Sequence, residues 1–413
     1  MQKIQFSDME LSNEMQRAVE EMGFEEPTSI QAASIPMILS GRDVIGHSQT
    51  GTGKTAAFSI PAIEKINPAG GRKTQVLILC PTRELAVQAC DEIRKFAKYK
   101  PFLKVVPIYG GQPIERQFTA LRGGAQIVVG TPGRVMDHMR RGTLKLDTLH
   151  MIILDEADEM LSMGFREDIE TILKDVPQER QTILFSATMS PEIMRITKQY
   201  QTDPELIRIT REQLTVPNIE QTYYEVPVGK KTEVLSRLLD VYNPSRSIVF
   251  CNTKKQVDEL VEELHARGYQ ARGLHGDMKQ GERTQIMNGF RRGSIDILVA
   301  TDVAARGIDV EDIAAVFNYD IPQDVEYYVH RIGRTGRIGK EGRAFTFVTG
   351  RRQIYELRDI ERFTKSKITL KAVPSSSEVN ETNERKFLDR VRVVLEELSL
   401  IHISEPTRLR RIS

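Results

Sequence analysis

Short β-rich runs at 76–80, 126–130, 151–154 and 182–185 are each followed by polar or glycine-containing residues and then by a stretch with helical spacing. Apolar runs of that length read as strands buried on both faces, and their alternation with helices predicts a mostly parallel sheet flanked by helices. The rhythm breaks over 203–218, where Pro204 and Pro217 sit among mixed polar residues. It then starts afresh with strands at 247–251, 295–300, 314–318 and 344–348. A helix over 254–267 carries Val257, Leu260, Val261 and Leu264 on one face. The pattern predicts an α/β chain of two tandem layered domains, 1–207 and 217–365, joined by a linker at 208–216. No simple sequence repeat relates the halves, so any likeness between them is one of structure.

From Lys365 onward the glycine-punctuated rhythm stops, leaving 366–397 as a C-terminal extension. Residues 375–377 read as a flexible spot, and 384–398 has helical spacing in Phe387, Val391, Val394, Leu395 and Leu398. One short helix cannot bury such a stripe alone, so it is expected to pack on the second domain or on a second copy of the chain, as the start of a dimerisation element.

Composition narrows the function classes. In 413 residues, Lys+Arg 58 against Asp+Glu 57 gives a net charge of +1, so a nucleic-acid contact needs a locally organised surface and not bulk charge. Cys80, Cys90 and Cys251 are odd in number and lack metal-ligand spacing, which fits free thiols in a reducing compartment. No cationic leader with an apolar segment opens the chain and no apolar run is long enough for a bilayer, so the expected location is the cytoplasm.

The polar residues after the strands carry the chemistry, because ligands of parallel sheets gather at strand carboxyl ends. Ser48-Gln49-Thr50-Gly51-Thr52-Gly53-Lys54-Thr55 lies between an expected strand at 43–46 and an expected helix at 56–60. Its glycines let backbone N–H groups approach phosphate oxygens, Lys54 reaches β- and γ-phosphates, and the Thr55 hydroxyl suits Mg²⁺. Asp155, after the run 151–154, can hold Mg²⁺ directly or through water. The adjacent Glu156 is the better general base for an attacking water. Alone, such an acidic quartet also reads as a solvated turn or helix cap. His330, Arg331, Arg334 and Arg337 need anionic partners if buried, and a helix at 327–334 would align the arginines on one face. The partner is a γ-phosphate, or else the cluster is a surface basic patch that contacts RNA backbone or nothing.

Together these residues resemble the DEAD-box family of ATP-dependent RNA helicases, over a stretch from Phe6 to about Phe363. The resemblance implies two RecA-like domains. It also makes Phe6, Phe24 and Gln31 an adenine-recognition element, hence ATP with Mg²⁺. It puts Pro81, Thr82, Arg83, Gly110, Gly111, Thr131, Pro132, Gly133 and Arg134 on an RNA track, joined by Arg283 and Thr301 of the second domain. Asp302, Gly307 and Asp309 fall on the nucleotide side, with Asp309 at the ribose. In Ser186-Ala187-Thr188 it implies hydroxyls that bond near the DEAD acids and couple hydrolysis to strand separation. Ser48 stands where the family more often has alanine. The implied activity is RNA-stimulated ATP hydrolysis that separates short duplexes and remodels RNA or RNA–protein complexes without base specificity. Catalysis rests on Lys54, Asp155, Glu156, Ser186, Thr188, His330, Arg334 and Arg337. Two other readings use the same residues: an ATP-dependent RNA clamp, and a DNA translocase.

Residues 398–408 resemble the translation of a transposase sequencing adapter, so 398–413 is expected to be non-native and a natural chain to continue from about Glu397. In longer bacterial members of the family that region implies a homodimer contact or docking of ribosome-assembly or RNA-decay proteins.

Overall fold

The computed structural model describes residues 5–48, 52–208, 219–305, 310, 313–336 and 341–382, and, further on, 384–386, 388, 391, 392 and 395. Two compact units divide at about residue 216. The first holds β1 (Val44–His47), β2 (Val76–Leu79), β3 (Val105–Ile108), β4 (Ile127–Gly130), β5 (Met151–Leu154), β6 (Gln181–Ser186) and β7 (Glu205–Arg208). The second holds β8 (Ile219–Glu225), β9 (Ser247–Phe250), β10 (Ala271–Leu274), β11 (Ile297–Ala300), β12 (Ala315–Asn318), β13 (Gly342–Val348) and β14 (Thr369–Leu370).

The sheet orders are β3-β4-β2-β5-β6-β1-β7 and β10-β11-β9-β12-β13-β8-β14, and every pairing is parallel. Counted from the start of each unit, the two orders are identical, so the halves share one topology without a shared sequence repeat. Parallel pairing requires crossovers, and the helices between strands cover both faces. In β2, Val76 and Ile78 point into one hydrophobic cluster while Leu77 and Leu79 point into the other, the period of two that a sheet imposes. β5 divides in the same way: Met151 and Ile153 on one side, Ile152 and Leu154 on the other.

The expected interior strands are present within two residues of their predicted ends, and the helix expected at 254–267 is Lys254–Ala266. β3, β7, β8, β10 and β14 were not expected. The helix expected at 327–334 is Val325–Ile332, capped by Gly333, so Arg334 lies beyond it and shares no helical face with Arg331. Residues 375–377 are not a flexible spot. The Ser375 Oγ accepts from Glu378 N at 3.2 Å while Glu378 Oε2 accepts from Ser375 N at 2.7 Å, a reciprocal cap on a helix that starts at Ser376. Phe387, Val394 and Leu398 lie outside the described residues; Leu388, Val391 and Leu395 are exposed. Cys80, Cys90 and Cys251 are buried free thiols. Among the described residues no helix is long and apolar enough to cross a membrane.

Candidate functional site

Strand order sorts the predicted residues of the first unit into two neighbourhoods. The P-loop follows β1, Asp155 and Glu156 follow β5, and Ser186 ends β6; these strands are consecutive in the sheet as β5-β6-β1. Thr82 follows β2, Gly110 and Gly111 follow β3, and Thr131 follows β4, the consecutive group β3-β4-β2. One sheet edge therefore carries a phosphate-type cluster beside a second row of helix starts and glycines.

In the first cluster Lys54 opens the helix Lys54–Glu64, and Thr55 follows in its first turn, where amide groups favour anions. Gly53 is the left-handed N-cap at φ 89°; an added Cβ would stand 2.4 Å from Gln31 Nε2. Gln31 Nε2 donates to Gly53 O at 3.1 Å and its Oε1 accepts from Thr28 N at 2.9 Å, while Thr28 Oγ1 donates to Thr52 O at 2.8 Å. Gln31 and Thr28 thus clamp the loop by its carbonyls. The signal for Thr28 in the sequence was the capping-box spacing Thr28-Ser29-Ile30-Gln31, which marks a helix start and not its bond to the loop. Ser48 is buried and its hydroxyl accepts from Thr52 Oγ1 at 3.3 Å, a bond that alanine would lack. Phe6 is 4% exposed and packs edge-on against Phe24, centroids 6.1 Å apart, with Phe24 in turn against Phe96. Gln49, Thr50 and Gly51 lie outside the described residues.

Lys54 Nζ and Asp155 Oδ1 are buried, with no hydrogen-bond partner among the described residues. Burial pushes the Asp155 carboxyl up to about 7; the Lys54 ammonium opposes this and the Glu156 charge adds to it. A cation that keeps several waters, together with phosphate oxygens, would satisfy Lys54, the Thr55 hydroxyl and Asp155, so the donor set fits Mg²⁺ with a nucleotide. Glu156 is the N-cap of the helix Ala157–Ser162 in the left-handed region, φ 50° and ψ 53°. That conformation is uncommon for a residue with a side chain and concentrates at functional sites. Asp158 Oδ2 accepts from Ala187 N at 3.1 Å and Thr188 N at 2.9 Å. The join between DEAD and Ser186-Ala187-Thr188 therefore runs through amides. The Ser186 hydroxyl instead donates to Thr188 O at 2.6 Å, and Thr188 Oγ1 is buried with no partner among the described residues. His47 Nε2 meets Ala187 O at 3.1 Å, tying β1 to the same turn.

In the second row Thr82 caps the helix Arg83–Phe96, its hydroxyl accepting from Leu85 N at 3.3 Å, with Pro81 just ahead. Thr131 is the N-cap of the helix Pro132–Arg140, with Pro132 first inside it and Gly133 next. The Arg83 guanidinium lies 4.8 Å over the Tyr109 ring. Gly111, at φ 80°, leaves it room, since a Cβ there would meet Arg83 Nη1 at 2.6 Å. Gly110 has open space around its Cβ position. Arg134 donates to Gln112 O from Nη1 at 3.3 Å and Nη2 at 3.4 Å. Two helix N-termini, two arginines and an open glycine turn make a surface suited to backbone phosphates.

In the second unit Thr301 follows β11, the topological counterpart of β4, and Arg283 lies in the helix Gln280–Arg292. Thr253 follows β9, the counterpart of β2. It caps the helix Lys254–Ala266 through Gln256 N at 3.2 Å, much as Thr82 does in the first unit. Arg331 is 1% exposed. It donates to Asp302 Oδ1 at 2.5 Å and Oδ2 at 2.7 Å, to Asn252 Oδ1 at 2.9 Å and to Asp320 O at 2.5 Å. Asp302, expected on the nucleotide side, is thus the internal partner of Arg331. Arg334 Nε donates to His330 O at 3.1 Å. Gly307, Asp309 and Arg337 lie outside the described residues.

Family comparisons agree with both units. Residues 28–196 match the model of the DEAD/DEAH box helicase and residues 230–339 that of the helicase conserved C-terminal domain. The chain is 52% identical over 391 residues to the DEAD-box ATP-dependent RNA helicase CshA of Geobacillus kaustophilus, covering 95% of this chain and 83% of that protein. Its identity to the CshA of Bacillus subtilis is 50% over 397 residues, covering 96% and 80%. Among solved structures it is similar to Saccharomyces cerevisiae Dbp5 bound to RNA and ADP BeF3, with TM-score 0.82 and 32% identity over 92% of this chain and 99% of that one.

Proposed function

The chain belongs to the DEAD-box ATP-dependent RNA helicases, and from that premise we propose how its own residues divide the work. ATP binds with its phosphates on the loop around Gly53, Lys54 and Thr55, and its adenine lies on the side of Phe6, Phe24 and Gln31. Mg²⁺ is held by Thr55 and by Asp155, partly through water, and supplies charge neutralisation at the β- and γ-phosphates. Glu156 accepts the proton of the attacking water. Arg334 and Arg337 stabilise the γ-phosphate charge, with His330 beside them, and Asp309 and Gly307 hold the ribose side.

RNA runs along Thr82, Arg83, Gly110, Gly111, Thr131 and Arg134, and then Arg283 and Thr301. Contacts there are to phosphates and 2′-hydroxyls, which carry no sequence information, so any short duplex is a substrate. The amide bonds from Ala187 and Thr188 to Asp158 make a short path by which hydrolysis at Glu156 is felt beside the RNA row. The protein acts in the cytoplasm, and the exposed Leu388, Val391 and Leu395 form the surface for a second copy.

The observation that carries this reading is the pairing of a buried Lys54 ammonium and Asp155 oxygen, neither hydrogen-bonded among the described residues, beside a Glu156 held in a left-handed conformation. Glu156→Gln keeps the shape and removes the base. RNA-stimulated ATPase should fall by about 10²-fold or more while nucleotide and RNA binding persist. An unchanged rate would remove Glu156 from its role.

A further inference from the structure

Behind the Tyr109–Gln112 turn stands a buried polar relay that the nucleotide chemistry does not use. Gln117, in the helix Ile114–Arg122, is 2% exposed, and its Nε2 donates to Tyr109 O at 2.9 Å. Its Oε1 then has to accept, and its partner is His138 Nε2 at 3.0 Å. His138 is fully buried in the helix Pro132–Arg140, with Nδ1 2.8 Å from Thr143 Oγ1 and its ring edge-on to Phe118 at 5.5 Å. Burial pushes the His138 pKa down, with the Arg134 charge acting the same way; because Gln117 Oε1 can only accept, the N–H facing it is that of Nε2, while the Thr143 hydroxyl donates to His138 O at 3.1 Å. The chain of bonds therefore has one direction: His138 donates to Gln117, and Gln117 donates to the carbonyl just ahead of Gly110.

The far side of the turn is held by Arg134, whose guanidinium donates to Gln112 O. Arg134 and His138 lie on the same helix, one turn apart. The turn after β3 is thus fixed at both ends to the helix that follows β4. Neither Gln117 nor His138 is exposed enough to touch a bound strand.

We propose that Gln117 and His138 are positioning residues for RNA. They set the spacing between the Gly110-Gly111 turn and the amide-rich start of the Pro132–Arg140 helix, so that both meet successive phosphates of one strand. The inference rests on the RNA track proposed above. It predicts a specific fault, loss of RNA affinity with intact hydrolysis, because nothing in the relay reaches Lys54, Asp155 or Glu156.

The test measures RNA-stimulated ATPase against the concentration of an unstructured single-stranded RNA. Gln117→Leu should raise the RNA concentration for half-maximal stimulation about tenfold, the equivalent of losing a buried hydrogen bond that orders the turn. The RNA-free rate and kcat at saturating RNA should not move. Because Gln117→Leu could also lower folding stability, His138 supplies a pair of variants that are both polar and both smaller than the ring. In His138→Gln the amide nitrogen reaches about as far as Nε2 and should keep near-parental RNA affinity. In His138→Asn it reaches only as far as Nδ1 and should behave like Gln117→Leu. Equal behaviour of the two His138 variants, or parental RNA dependence in Gln117→Leu, overturns the proposal. Arg134→Ala separates this failure from failure of the track itself: if it too leaves RNA affinity unchanged, RNA does not lie on this surface and the relay has nothing to position.

Discussion

Arg331 and Arg334 are three residues apart in one motif, yet their surroundings give them different work. Arg331 spends its guanidinium on Asp302, Asn252 and Asp320 inside its own unit and stacks 5.1 Å from the Phe250 ring. Removing it would leave Asp302 without its cation and the Asp320 carbonyl without a donor, a fault worth about 3–5 kcal/mol for a buried pair. Arg331→Met should therefore lower the thermal midpoint of the second unit by many degrees. Arg331→Lys should do nearly as badly, since an ammonium cannot make the planar two-pronged contact to a carboxylate. Arg334→Ala should cost ATPase activity with a much smaller loss of melting temperature. Calorimetry beside ATPase assays checks the contrast, and equal destabilisation by the two variants would refute it. In the sequence the pair looked alike. Only the stop at Gly333, which ends the helix before Arg334, separates them, and a glycine one residue past a helix carries that signal weakly.

At the scale of elements, legibility followed position in the sheet. The interior strands β2, β4, β5, β9, β11 and β12 are buried on both faces and appear as mostly apolar runs, with Ser247 and Asn318 only at strand ends. Four of the five unpredicted strands, β3, β7, β10 and β14, are the edges of the two sheets. Edges need less apolar surface and tolerate residues that an interior strand would reject: β3 holds Pro107, β7 reads Glu-Leu-Ile-Arg, and β10 contains Arg272 and Gly273. Thr82, Thr131, Asp155 and Ser186 were readable for the related reason that they follow or end interior strands, whereas Gly110 and Gly111, after the edge strand β3, came only with the family resemblance. The relay from His138 to Gln117 was not readable, because it joins two helices whose relative placement no local pattern specifies. The start of the C-terminal helix was legible and was misread: Ser375-Ser376-Ser377-Glu378 has capping-box spacing, which outweighs the local run of serines. Ser375→Ala should speed amide exchange in that first helical turn by about fivefold, the equivalent of a lost cap, with no change in ATPase. Unaltered exchange over 376–380 would mean the cap is not what holds the helix start.

For the whole molecule, the decisive property is that the two units share one topology, and in the function proposed above each contributes a nucleotide-side group and an RNA-side group. Lys54, Asp155 and Glu156 lie in one unit and Arg334 in the other, while Arg134 and Arg283 divide in the same way. If both ligands favour one arrangement of the units, each must raise the other's affinity by the same factor, since the coupling free energy belongs to the pair. For the parent chain the expected factor lies at about 5–150-fold, measured as RNA affinity with and without a non-hydrolysable ATP analogue. If Arg334 contacts the γ-phosphate as proposed, Arg334→Ala should bring that factor toward one while leaving RNA affinity in the absence of nucleotide unchanged. Arg134→Ala should do the opposite, weakening RNA binding with and without nucleotide by similar amounts. A parental coupling factor in Arg334→Ala would mean that the coupling between the two ligands does not depend on Arg334.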